Sequence, residues 1–230
     1  MPRVARNLVD GCIYHVLNRG NGKQEVFHKE QDYRSFISLL KEAKERYPVK
    51  IMAYCLMPNH FHMVLQAVNA GDMSKWIQWL MTTHVRRYHL HYESSGHLWQ
   101  GRYKSFVIQE DGHLMTVLRY VEGNPVRANL VSSAIKWQWS SHRDRLSGIS
   151  CLIDDVPIDL PGKWGKYVTD PIADKELNNL RKSVIRQFPY GTADWQMRVA
   201  KETGIESSLR PQGRPKKKGD CPPFLSVIDF

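Results

Sequence analysis

Two histidines, His60 and His62, flank a phenylalanine in the run MPNHFHMVL (57–65), directly after Pro58 and Asn59. Imidazoles spaced this way can ligate a metal ion, serve a nucleophile as a base, or simply face solvent. On a strand, alternate side chains share a face, so His60, His62 and Val64 point one way and Phe61, Met63 and Leu65 the other. Positions two apart on a strand lie roughly 6.5–7 Å from each other, and two rings can converge from there on one ion. An isolated H-x-H pair is more often a pair of surface histidines. There is no H-E-x-x-H, so zinc-protease chemistry has no support. A metal acting on phosphate oxygens needs a further oxygen donor and open positions.

A later segment offers that donor. Leu114, Val117, Leu118 and Val121 form an apolar stripe at helical spacing. At about 100° per residue, Tyr120 lies roughly 110° from the centre of that stripe. It shares this flank with His113 and Thr116, and with Asn124 if the helix extends so far. Residues i and i+4 are neighbours on a helix, so Tyr120 and Asn124 can address one ion. Spacing alone equally allows a boundary tyrosine with a wet hydroxyl and a turn asparagine before Pro125. Gly123 and the pre-proline position argue that the helix weakens there.

The elements that must position these groups follow from two alternating periods. Residues 12–20 read as a strand, 29–47 as a helix carrying Tyr33, Phe36, Ile37 and Leu40, and 49–57 and 60–68 as strands joined at Met57-Pro58-Asn59. A helix is expected over about 73–92, and a strand or hairpin over 98–109, interrupted by Gly101. A third helix starts near Asp111. This order predicts an α+β, ferredoxin-like antiparallel sheet with helices on one face. The Phe61 set would lie under the helices and both imidazoles on the open face. Three units are expected: 1–148 as a catalytic domain, 149–209 as a C-terminal extension with helices near 173–187 and 193–203, and 210–230 as a basic, proline-rich tail.

Composition narrows the function class. The 230 residues are 42% apolar, enough for a core, with no run of membrane-spanning length and no apolar stretch behind the basic N-terminus that would make a signal peptide. The four cysteines stand far apart with no C-x-x-C pair, which fits a reducing cytosol better than a disulfide framework. Lys and Arg outnumber Asp and Glu by 33 to 23, and a formal charge of +10 favours encounter with phosphate polymers.

PNHFHMVL followed by LRYVEGNPVRANLV, together with SGHLWQGRYKS (95–105) and the tail PYGTADWQMRVAKETGIESSLRPQGRPKKK, resembles the HUH single-tyrosine, insertion-sequence-200-like transposases. More specifically, it resembles the bacterial REP-associated tyrosine transposases, and the resemblance covers nearly the whole chain. The resemblance implies a catalytic Tyr120, metal ligands at His60 and His62, and Mg²⁺ or Mn²⁺ as the ion. Asn124 stands where insertion-sequence relatives carry a glutamine ligand, and Gly123 stands where a bulkier residue is expected. The implied partner is single-stranded or hairpin DNA at repeated extragenic palindromes, engaged by a nucleoid-associated, monomeric protein. Attack by Tyr120 would leave a 5′-phosphotyrosine and a free 3′-hydroxyl. Arg102, Lys104 and Arg127 are candidate phosphate contacts, and Arg210, Arg214, Lys216, Lys217 and Lys218 of the tail resemble a minor-groove arm. Two rivals stay open: a vestigial hairpin-binding protein, and a metal-dependent hydrolase that does not use Tyr120.

Overall fold

The structure, a computed structural model, describes residues 8–148 and 152–210. Four strands, β1 (Ile13–Arg19), β2 (Val49–Met57), β3 (His60–Ala67) and β4 (Lys104–Ile108), form one antiparallel sheet in the order β2-β3-β1-β4. Pro58 and Asn59 close the β2–β3 hairpin, with Met57 paired to His60. Helices α1 (Glu30–Arg46) and α2 (Ala70–Tyr92) cross one face, as the ferredoxin-like order predicts. Tyr33, Phe36, Leu39, Leu40 and Ala43 of α1 pack with Phe61, Met63 and Leu65 of β3 and Trp76, Ile77 and Leu80 of α2. The α1 N-terminus is fixed by Asp32, whose carboxylate accepts from the backbone N–H groups of His28 and Lys29 and from the Tyr92 hydroxyl. The Lys29 N–H, at the N-cap, is one that the helix leaves without an intrahelical partner.

The expected strand over 98–109 is shorter. Only Lys104–Ile108 joins the ladder, while Trp99 makes a single bridge to Gly20. The Asn18 side chain donates to the Gly101 carbonyl at 2.9 Å, which ties the bend to β1 in place of continuous pairing.

The second face of the sheet is covered, not open. α3 (Gly112–Glu122) lays Leu114, Val117, Leu118 and Val121 against Ile13, Leu17, Cys55, Val64, Phe106 and Ile108. α4 (Asn124–Arg127) follows directly, then α5 (Ser141–Ser147). Within the Gly- and Pro-rich stretch after it lies α6 (Trp164–Thr169), and then α7 (Asp174–Arg186), α8 (Ala193–Thr203) and α9 (Glu206–Leu209). Trp164, Val168, Leu180 and Val184 add to the same apolar layer as α3.

One buried carboxylate joins these late elements. Glu122, at the end of α3, accepts from Ser141 Oγ (2.8 Å), His142 Nδ1 (2.9 Å), Arg145 Nε (2.9 Å) and Trp164 Nε1 (2.8 Å). Burial alone would push its pKa up, but the His142 hydrogen bond and the Arg145 guanidinium outweigh that and hold it below the ordinary glutamate value. A buried charge with four donors is satisfied. The helix that carries Tyr120 is thereby tied at its C-terminal end to α5 and α6.

Candidate active site

His60 and His62 share the sheet face that α3 covers, as their alternation with Phe61 requires. Covering that face buries them, with His62 0% and His60 6% exposed. Each ring is held by a neighbour on its Nδ1 side. Asn59 Oδ1 lies 2.6 Å from His60 Nδ1, so that nitrogen donates and Nε2 carries the lone pair. Asn59 is itself fixed by donating to the Lys23 carbonyl. The asparagine of the hairpin turn therefore orients the histidine after it.

His62 Nδ1 lies 2.9 Å from His15 Nε2, and the two rings stack 5.0 Å apart. His62 Nε2 is buried with no hydrogen-bond partner among the described residues. Burial lowers the pKa of His15 to about 3 and, with Arg19 adding to it, that of His60 to about 3; burial, His15 and His60 push His62 well below its ordinary value. All three imidazoles are thus neutral near pH 7 and have lone pairs to offer. The sequence reading missed His15. Its signal was the alternation Ile13, His15, Leu17, which places an imidazole on a buried apolar stripe.

Tyr120 packs edge-on against both rings, with centroids 5.7 Å from His62 and 6.2 Å from His15 and interplanar angles of 86°. The tyrosine is 2% exposed, more deeply set than a flank position implies. The Arg127 guanidinium sits 4.2 Å above its ring centroid and also donates to the Tyr120 carbonyl. Burial raises the Tyr120 pKa, while Arg127 and Arg181 pull it back without cancelling the rise.

Asn124 is not on α3. The helix ends at Glu122, Gly123 turns the chain, and Asn124 opens α4 with Pro125 in its first turn, where a missing N–H costs little. A Cβ at Gly123 would stand 2.8 Å from the Val168 carbonyl oxygen and 2.9 Å from that of Arg119. Only glycine fits, which accounts for the small residue at this position. The turn brings the Asn124 amide, 2% exposed, to 3.2 Å from His60 Nε2. The amide nitrogen faces that lone pair here, and rotation of the amide by half a turn would present its oxygen instead.

His60, Tyr120, Asn124 and Arg127 line one cavity of about 540 Å³ with Arg19, Lys23 and Arg181, and Glu25 is the one acidic residue among its described lining. Two larger cavities elsewhere contain neither His60 nor Tyr120. Of the candidate phosphate contacts, Arg127 lies in the site. Arg102 and Lys104 line a smaller depression that shares Arg19 with it. Arg210 is exposed at the end of α9, its carbonyl accepting from Arg186. Arg214, Lys216, Lys217 and Lys218 lie outside the described residues. Arg181, on α7, was not anticipated.

Among the described residues no three His, Cys, Asp or Glu side chains gather into a metal-holding group. What the site offers is two imidazoles and one amide. The partnerless His62 Nε2 and the oriented His60 Nε2 fit a divalent cation, and so small a protein ligand set leaves positions for water and phosphate oxygens, as a catalytic cation requires.

Comparison with known proteins identifies the family. The family model "Transposase IS200 like" matches residues 8–124, from the start of the described chain to Asn124. A Haemophilus influenzae protein described as a REP-associated tyrosine transposase is 32% identical over 126 residues, which are 49% of this chain and 71% of the relative. A solved REP-associated tyrosine transposase, bound in its structure to a REP hairpin, shares the fold with a TM-score of 0.53. It is 20% identical, and the match covers 76% of this chain and 100% of that one. Both the family segment, which runs from β1 through His60, His62 and Tyr120 to Asn124, and the curated relative lead to one conclusion: the chain belongs to the IS200-like transposases, among the REP-associated tyrosine transposases.

Proposed function

We propose that this protein cleaves and rejoins single-stranded DNA at hairpin-forming repeated palindromes, with Tyr120 as the nucleophile. The observation that carries this reading is that Tyr120, His60 and Asn124 line a single cation-rich cavity, with His62 packed against the tyrosine ring. The REP hairpin bound to the structural relative supports the choice of DNA.

In the proposed step Tyr120 Oη attacks the phosphorus of a phosphodiester. The O–P bond to the tyrosine forms as the P–O3′ bond breaks. The phenol gives up one proton and the departing 3′ oxygen ends as a hydroxyl. The 5′-phosphotyrosine keeps the phosphodiester energy, so rejoining needs no nucleotide triphosphate, consistent with a chain that has no G-x-x-x-x-G-K-[ST] motif. His60, His62 and the Asn124 amide oxygen are the residues that would hold Mg²⁺ or Mn²⁺, whose contribution is Lewis-acid polarisation of phosphate oxygens. Arg127, over the ring, favours the phenolate that burial disfavours. Tyr120 is only 2% exposed, so the phosphate must be drawn away from a paired duplex to reach it, which favours single-stranded substrate.

The polarity of the linkage tests the reading. Hairpin DNA carrying a single-stranded flank, incubated with the protein and Mn²⁺, should give a denaturant-resistant complex that retains label only from the 3′ side of the nick. Retention of the 5′-side label, or nicking with no protein-bound label, would exclude this chemistry.

A further inference from the structure

The family match ends at Asn124, yet the cavity does not. Arg181 reaches it from α7, in the C-terminal extension. Leu180, Ser183 and Val184 are buried on one side of α7, and Leu180 and Val184 join the apolar layer shared with α3. That packing fixes the helix, and with it the side on which Arg181 emerges.

The cationic lining residues are not equivalent. Arg127 is committed, stacked on the Tyr120 ring and donating to the Tyr120 carbonyl. Arg181 makes no hydrogen bond or ion pair among the described residues. It lies close enough to the other guanidinium to lower the Arg127 pKa, to which burial contributes most, and close enough to Tyr120 to favour its phenolate. Like charges gathered around a cavity oppose folding unless an anion enters. A guanidinium presents a rigid fork of donors that matches phosphate oxygens.

We propose that Arg181 contacts a non-bridging phosphate oxygen of the strand that enters the Tyr120 cavity, so that the C-terminal extension contributes a substrate-binding group to the site. This inference rests on the reading of the cavity as a DNA site. It moves the phosphate contact assigned to Arg127 by its position after the tyrosine onto a residue of α7. Arg127 keeps a role at the nucleophile.

The test reads binding rather than cleavage. In a full-length Tyr120→Phe background, affinity for a hairpin with a single-stranded flank is measured with and without Arg181→Gln. The measurement is repeated on strands that carry a neutral methylphosphonate at one flank position at a time. On the natural strand, Arg181→Gln should weaken binding about tenfold, as expected for a lost charge-assisted hydrogen bond. At one position the methylphosphonate should shrink that penalty to less than about threefold, because the phosphate charge that the guanidinium meets is already gone. Arg181→Lys should recover part of the affinity, and unchanged thermal melting would exclude misfolding. An equal penalty on every strand, or none on the natural one, overturns the proposal. If wild-type protein forms no covalent adduct while the position-specific coupling persists, the cleavage reading fails and this inference stands. A background protein that binds no DNA overturns both.

Discussion

His15 Nε2 stands 2.9 Å from His62 Nδ1, and this contact joins β1 to β3 behind the candidate ligand nitrogen. One of the two nitrogens must donate. If His62 offers its Nε2 lone pair to a cation, its Nδ1 carries the proton and His15 accepts. His15 Nδ1 then holds a hydrogen with no partner, as the burial of that atom indicates. The pair thus gives up one hydrogen bond to fix the tautomer of His62, the service that partners behind metal-bound histidines perform.

Replacement of His15 should therefore be read in metal affinity. His15→Leu keeps the apolar packing but leaves His62 Nδ1 without an acceptor, and Mn²⁺ affinity measured by calorimetric titration should fall about 10- to 100-fold. His15→Gln can still accept through its amide oxygen and should lose less. Equal affinities for wild type and the leucine variant would show that His15 does not orient the ligand.

The turn at Gly123 makes a second prediction. Ala at this position would force its Cβ against two carbonyl oxygens, one of them on α6. The strain should cost about 1–3 kcal/mol in urea unfolding, and relief of that strain should shift Asn124 away from His60. Gly123→Ala should then need more Mn²⁺ for half-maximal nicking than wild type. A stability loss with an unchanged metal requirement would remove Asn124 from the metal site.

Stability should also fall in mild acid, and His84 isolates one cause. It is 5% exposed on α2, packed against Phe27, Phe36 and Trp99, and burial lowers its pKa to about 3. The unfolded chain takes up a proton on this ring as pH drops through about 6.5, while the folded chain does not until about pH 3. The stabilisation is therefore complete above pH 6.5 and declines below it, by about 2 kcal/mol at pH 5 for one such group. His84→Phe should reduce the loss measured by urea unfolding between pH 7 and pH 5 by that amount. An identical pH dependence in the variant would mean that His84 takes up its proton in the folded state.

Much of this was legible in the sequence, for a definite reason. The strands and long helices bury one face each, so periods of 2 and 3.6 marked β1–β3, α1, α2, α7 and α8 within a few residues of their bounds. The same alternation separated His62 from Phe61. It could not tell how the second face would be covered. The sequence reading assigned the helices to one face and left the imidazoles in the open, whereas α3 and the extension bury them. The signals for that layer were short: Trp164 sits in a six-residue helix within a stretch rich in turn formers, and Leu180 and Val184 show no partner in sequence. His15 and Arg181 reach the site through strand pairing and helix packing across long sequence separations, which no local spacing encodes. Asn124 approaches His60 through a break at Gly123 where the spacing argument needed a continuous helix.

The central claim is that Tyr120 is the nucleophile, and one substitution addresses it. Tyr120→Phe preserves the edge-on packing against His62 and His15 and the ring beneath Arg127, and removes only the hydroxyl. With hairpin DNA and Mn²⁺, the wild-type protein should form a denaturant-resistant DNA adduct. The phenylalanine variant should bind the same DNA within about threefold, since phosphate contacts dominate affinity, and should form none. An adduct of undiminished yield in the Tyr120→Phe protein would contradict the account.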